Sequence, residues 1–222
     1  MKSTLLLLFL LFLTNTLFAQ SEIQLSNDSD TTFWYQYKND YASRFKLGLI
    51  EKDTSDYSFR FWSFGLVIKV AGGVDKPFGE VVRFVEAYPN DKNKKVFTKN
   101  YPISSSEAFQ VRHLIDSLQI EFLPSDKNIK GWHHGFDGIE YFTEFKKGGK
   151  YSFKNYWTPT SQDTLREAIQ FQSFVTSLDR ILNLKDNSKD FQNDIPFDSW
   201  TNPGSGTSVM RIKPRSKKKN GG

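Results

Sequence analysis

The chain has no cysteine. That excludes a disulfide framework, a thiolate metal site, a thiol nucleophile and a lipid carried on a cysteine behind a leader. Histidine is scarce, with 3 in 222 residues, and no H-E-x-x-H spacing is present. G-x-S-x-G elbows, phosphate-binding loops and dinucleotide fingerprints are missing as well. Gly204-Ser205-Gly206-Thr207-Ser208 superficially resembles a phosphate loop but lacks the following lysine. No internal repeat occurs. Long apolar runs are also lacking: the longest, Leu5 to Leu13, has nine residues, well short of the ~20 that a membrane-spanning helix needs.

That one run is nevertheless informative. Lys2 precedes it, Thr14, Asn15 and Thr16 follow, and Leu17-Phe18-Ala19 ends on a small residue. A basic start, a short apolar core and a small residue before the cut make a secretory signal peptide. Residues 1–19 are read as that leader, with cleavage after Ala19 and a mature chain from Gln20. The expected address is periplasmic or secreted, with no transmembrane segment in the mature chain. Residues 20–30 read as a loose N-terminal segment, 31–200 as one domain, and 201–222 as a disordered basic tail. A domain of that size buries a core without covalent staples.

Charge is unevenly spread. The formal net charge is +5, from 30 basic and 25 acidic residues. Lys2 leaves with the leader, and Arg211, Lys213, Arg215, Lys217, Lys218 and Lys219 crowd the last twelve positions. Without these seven, 23 basic residues face 25 acidic ones, so the domain itself is slightly acidic. The tail therefore suits an anionic envelope component, a phosphorylated polymer or lipid headgroups, or serves as a solvated end. Without interleaved aromatics it is a poor nucleic-acid ligand.

Aromatic residues are abundant, with 21 Phe, 9 Tyr and 5 Trp. They suit half-buried pleated strands; a binding face for sugars or apolar ligands is the alternative. Strands are expected over 31–37 and at the alternating Phe45, Leu47 and Leu49, which would form a hairpin with the run Tyr57, Phe59 and Phe61. The apolar phase then moves to Trp62, Phe64, Leu66, Ile68 and Val70, which calls for a bulge or sharp bend near Ser63 and Gly65. Further strands are expected over 79–88 and 95–101. A helix begins after Ser104, where Ser104 and Glu107 make a capping box, and carries the stripe Ala108, Val111, Leu114, Ile115 and Leu118. A hairpin spans 138–157. Putting its apolar residues on one face selects a three-residue loop, 147–149, which pairs Phe145 with Tyr151 and Thr143 with Phe153 and turns Glu140 and Glu144 outward. A second helix is expected over 161–184. The fold class is α+β: an antiparallel sheet of about six to eight strands with two helices packed on one face.

Chemistry concentrates in Trp132-His133-His134-Gly135-Phe136-Asp137-Gly138. His134, Asp137 and Glu140 are the candidate catalytic residues, and Trp132, His133 and Trp157 the candidate ligand contacts. Imidazole and carboxylate suit zinc-type chemistry, yet adjacent histidines on an extended chain point apart, so no metal site or cofactor is assigned. Glu140 and Glu144 lie ~13 Å apart along a strand, beyond the ~5–9.5 Å of a glycosidase pair. His113 sits beside the apolar stripe of the first helix. Phe136-Asp137-Gly138-Ile139-Glu140-Tyr141, with Tyr151 and Asn155-Tyr156-Trp157-Thr158-Pro159, resembles a D-G-x-x-Y hairpin and Y-W-x-P pattern of uncharacterised exported bacterial proteins. The resemblance implies export and supplies no catalytic residue. The function expected is that of a non-enzymatic exported protein with a binding or envelope-associated role. A metal-assisted hydrolase using residues 132–144 is the alternative, and an inhibitor or immunity-type protein that binds another protein is the third.

Overall fold

A computed structural model of the chain describes residues 24–26, 29, 33–88, 95–205 and 208–210. Residues 1–19, expected to be a leader, and the basic residues from Arg211 to Lys219 lie outside them. Alternating apolar residues form two strands, β2 (Tyr57–Ser63) and β3 (Leu66–Ala71), which pair with each other. The phase change at Ser63 is thus the tip of this hairpin, where Gly65 has φ of +62°. β4 (Phe78–Ala87) and β5 (Val96–Ile103) follow. β6 (Glu140–Lys147) and β7 (Lys150–Trp157) make the later hairpin, and β8 (Ser199–Thr201) and β9 (Ser208–Met210) a short terminal one. With β1 (Gln24–Leu25) they form a nine-stranded sheet ordered β1-β7-β6-β2-β3-β4-β8-β9, with β5 on the other edge of β4. The expected all-antiparallel sheet is corrected to a mixed one, because β1 runs parallel to β7. Within the segment expected as a tail, residues 208–210 form a strand that pairs with β8.

The described residues hold four α-helices: α1 (Phe33–Arg44), α2 (Ser105–Ser117), α3 (Arg166–Ile181) and α4 (Leu184–Asp194). The capping box forms at the start of α2, with Ser104 Oγ accepting from Glu107 N and the Glu107 carboxylate accepting from Ser104 N. The expected second helix is broken: Asn183, at φ of +46°, separates α3 from α4. The expected strand over 31–37 is also wrong. Trp34, Tyr37, Lys38, Tyr41, Ala42 and Phe45 recur at helical spacing, and that periodicity overrides the strand preference of aromatic residues.

The helices account for the register of β6 and β7. Phe59, Phe61, Phe145 and Tyr156 form one core with Ala108, Val111 and Ile115 of α2 and Phe171, Phe174 and Leu178 of α3. Trp62, Val67, Val82, Phe84, Phe142 and Phe153, at the alternate strand positions, form another with Tyr41 and Ala42 of α1 and with Phe45. Both faces of the sheet are apolar, so burial cannot choose between registers one residue apart. The turn chooses instead: Gly148 and Gly149 have φ of +55° and +74°, as a two-residue type I′ hairpin requires. Phe145 therefore pairs with Ser152, and Glu144 with Phe153. The expected three-residue loop is incorrect.

In this register Glu144 points inward beneath α1 and is only 2% exposed, contrary to the expectation of an outward face. Its carboxylate accepts hydrogen bonds from Trp62 Nε1, Tyr151 OH at 3.0 Å and Arg60 Nη1 at 3.5 Å. Arg60 Nη2 also reaches the carbonyls of Leu47 and Gly48. Lys38 of α1 is buried beside this group. Its Nζ lies 4.3 Å from the ring centre of Phe142 and 5.3 Å from those of Tyr41 and Trp62. Burial pushes the amine down to about 7, against the opposing pull of the Glu144 and Glu140 charges.

Candidate functional site

The segment before β6 is held by side chains that take the place of a neighbouring strand. Ser125 Oγ accepts from Asn155 N at 3.1 Å and donates to Asn155 O at 3.2 Å. Asp126 Oδ2 accepts from Trp157 N at 2.7 Å, and Ser29 Oγ accepts from Phe153 N at 3.0 Å. The outer edge of β7 is thereby satisfied, and residues 123–132 lie along it.

The chain then turns into the loop 132–139, which is clamped at both ends. Trp132 is buried, and its Nε1 donates to Trp157 O at 2.9 Å. The buried Gln162 mimics a backbone pair, accepting from His133 N at 3.1 Å and donating to His133 O at 2.6 Å. At the far end Ile139 N donates to Thr158 Oγ1, and Thr158 N to Ile139 O, each at 2.8 Å. Gly135 and Gly138 press on the Trp157 ring: a Cβ on either would lie 2.8 or 2.6 Å from its carbons. Side chains at these positions are excluded by close approach. Between them Phe136 stands wholly in solvent, with a relative exposure of 107%.

The structure partly joins the candidate residues. His134 Nε2 lies 3.0 Å from Asp126 Oδ2, not against Asp137. Asp126 is 1% exposed. Burial raises its pKa, while the Trp157 amide and His134 oppose the shift. Glu140 is partly buried, and its carboxyl is pushed up to about 7 by burial and then by the negative charge of Asp126. Glu140 Oε2 finds no hydrogen-bond partner among the described residues. Asp137 and the His133 ring are exposed. Trp157 forms the floor, with the His134 ring centre 6.0 Å away. His113 lies elsewhere, in a shallow groove on α2 with Arg180.

The arrangement joins buried Asp126 to half-exposed His134 through one hydrogen bond, and it leaves Phe136 exposed between the two clamped ends of the loop. Among the described residues no group of three or more His, Asp or Glu is placed to hold a metal ion, and no helix is long and apolar enough to cross a membrane. Sequence reasoning missed Asp126, 8 residues from His134, and Gln162, 29 residues from His133. No local pattern could have supplied either, because both contacts are made by folding. Comparison with protein families, curated proteins and solved structures finds no match.

Proposed function

We propose that the chain is an exported, non-enzymatic binding protein that grips another protein with the loop 132–138, using Phe136 as its anchor. The observation that carries this reading is a wholly exposed phenylalanine on a loop fixed by buried Asp126 and Gln162. An exposed aromatic ring loses water-facing apolar surface when a partner covers it. Aromatic anchors of this kind commonly dominate protein interfaces. A loop already held in place loses little conformational freedom on docking. The partner that fits presents an apolar socket for Phe136. Replacing Phe136 by Ala should weaken binding of the partner by ~2 kcal/mol or more, about thirtyfold, and leave the melting temperature unchanged. Photo-crosslinking from position 136 in the native host identifies the partner, and titration with wild type and variant measures the loss. Equal affinities would defeat the reading.

Export enters the proposal through residues 1–19 and through the resemblance to exported bacterial proteins. Mass spectrometry of protein from its native host should find Gln20 as the first residue; retention of Met1 would refute export. The basic residues from Arg211 to Lys219 would add salt-sensitive attraction to an anionic envelope component.

One observation favours the hydrolase as a second reading. The Asp126–His134 contact beside Glu140 brings an imidazole and two carboxyl groups together, the kinds of group that general acid–base catalysis uses. Its metal-assisted form lacks a ligand set among the described residues. In that reading His134→Ala abolishes an activity that Phe136→Ala preserves; in the binding reading Phe136→Ala has the larger effect.

A further inference from the structure

A second site lies at the opposite end of the sheet, where the β2–β3 turn, β8 and α4 meet. They enclose a cleft of ≈ 290 Å³. Phe64, Phe191 and Trp200 form apolar walls, and Arg83, Ser188 and Asn202 contribute polar groups. The cleft follows from the topology. β4 pairs with β3 as far as Arg83 and with β8 from Glu86 onward, on the same side, so a gap is left between the two partners. Gly65 fits beside it, with Phe84 N donating to Gly65 O at 3.0 Å.

Arg83 is an under-used cation. Its Nη2 donates to Leu184 O at 2.5 Å, and its Nε is buried without a hydrogen-bond partner. Among the described residues no carboxylate lies within ion-pairing distance of it; the Asp179 charge acts only from farther away. Burial of the guanidinium disfavours its charged form, so a bound anion would relieve that cost. Arginine is suited to this role because its planar fork matches a carboxylate. The cleft is just below the ~300–1,000 Å³ typical of ligand sites, which restricts it to a small ligand, and its walls are aromatic. We propose that this cleft binds a small organic carboxylate with a planar apolar body: the anion sits on Arg83, the body lies against the wall made by Phe64, Phe191 and Trp200, and Ser188 and Asn202 supply the remaining polar contacts.

Benzoate is the probe, with benzamide as its uncharged counterpart, titrated into the isotope-labelled full mature chain and followed by NMR. Saturable shifts are expected at the amides of Ser188 and Asn202 and at the Trp200 indole. Benzamide should bind at least ~10-fold more weakly, as should benzoate to Arg83→Met, because a charge-assisted hydrogen bond is lost. Ser188→Leu keeps Arg83 and blocks the cleft from a half-exposed helix position; it should abolish binding with the melting temperature intact, which guards against misfolding of the arginine variant. The proposal is overturned if benzoate gives no saturable shifts, if benzamide binds equally well, or if folded Ser188→Leu binds benzoate like the wild type.

Discussion

Replacing Glu144 by Leu should destabilise the fold by ~3–5 kcal/mol, the usual result of removing one partner from a buried ion pair. The carboxylate is the hydrogen-bond acceptor for Trp62 and Tyr151 and the counter-charge for Arg60. Leucine would leave two unsatisfied donors and an uncompensated guanidinium beneath α1. Chemical denaturation measures the loss. Combining Arg60→Met with Glu144→Leu should recover part of it, since the charge is then removed from both sides while the Trp62 and Tyr151 donors remain unpaired. A single-variant loss below ~1 kcal/mol would mean that packing of α1, rather than this network, holds the face.

The second large effect is a pH dependence set by Lys38. In the folded chain its amine titrates near 7, whereas the ordinary value is 10.5. Between those values the unfolded state carries a proton that the folded state has released. Raising the pH through this window therefore favours folding, by up to ~1.4 kcal/mol per pH unit. Below pH 7 both states are protonated and the cost of burying the charge is fully present. Lys38→Met should remove this slope. Unfolding free energies at pH 7, 8 and 9 should accordingly converge between variant and wild type as pH rises; parallel profiles would show that Lys38 stays charged. Glu140 acts in the opposite direction on the acid side. Its folded value of about 7 exceeds the ordinary 4.5, so its contribution is fully present below 4.5 and is lost as pH rises to 7.

Several elements were legible in the sequence. The alternation in β2 and β3 and the Ser104–Glu107 cap identified those elements, because each is a short-range pattern; the partner expected for β2, a strand at Phe45, Leu47 and Leu49, is not formed, and β2 pairs with β3 and β6 instead. α1 was equally visible in the spacing of Trp34, Tyr37, Lys38, Tyr41 and Phe45, with a lysine inside the apolar stripe, but its aromatic content suggested a strand. The β6–β7 register was misread for a different reason. An argument from burial assumes one wet face, and here α1 covers that face and draws Glu144 inward. Gly148-Gly149 carried the correct answer in its turn chemistry. For the candidate site, the density of His, Gly and aromatic residues marked 132–138 as unusual. Its supports could not be read, since Asp126 and Gln162 meet it only through the fold.

The outer edge of β7 has a consequence for self-association. An edge strand with free amides is a template onto which another copy can add a strand, and repeated addition builds a fibril. Here the outward amides of Phe153, Asn155 and Trp157 are already bonded to oxygens of Ser29, Ser125 and Asp126. A second copy arriving at this side meets hydroxyls and a carboxylate already in use, not a row of donors. Growth by strand addition is closed off there by the two residues of β1 over Lys150 and Tyr151 and, from Phe153 to Trp157, by three side chains whose removal would reopen that stretch.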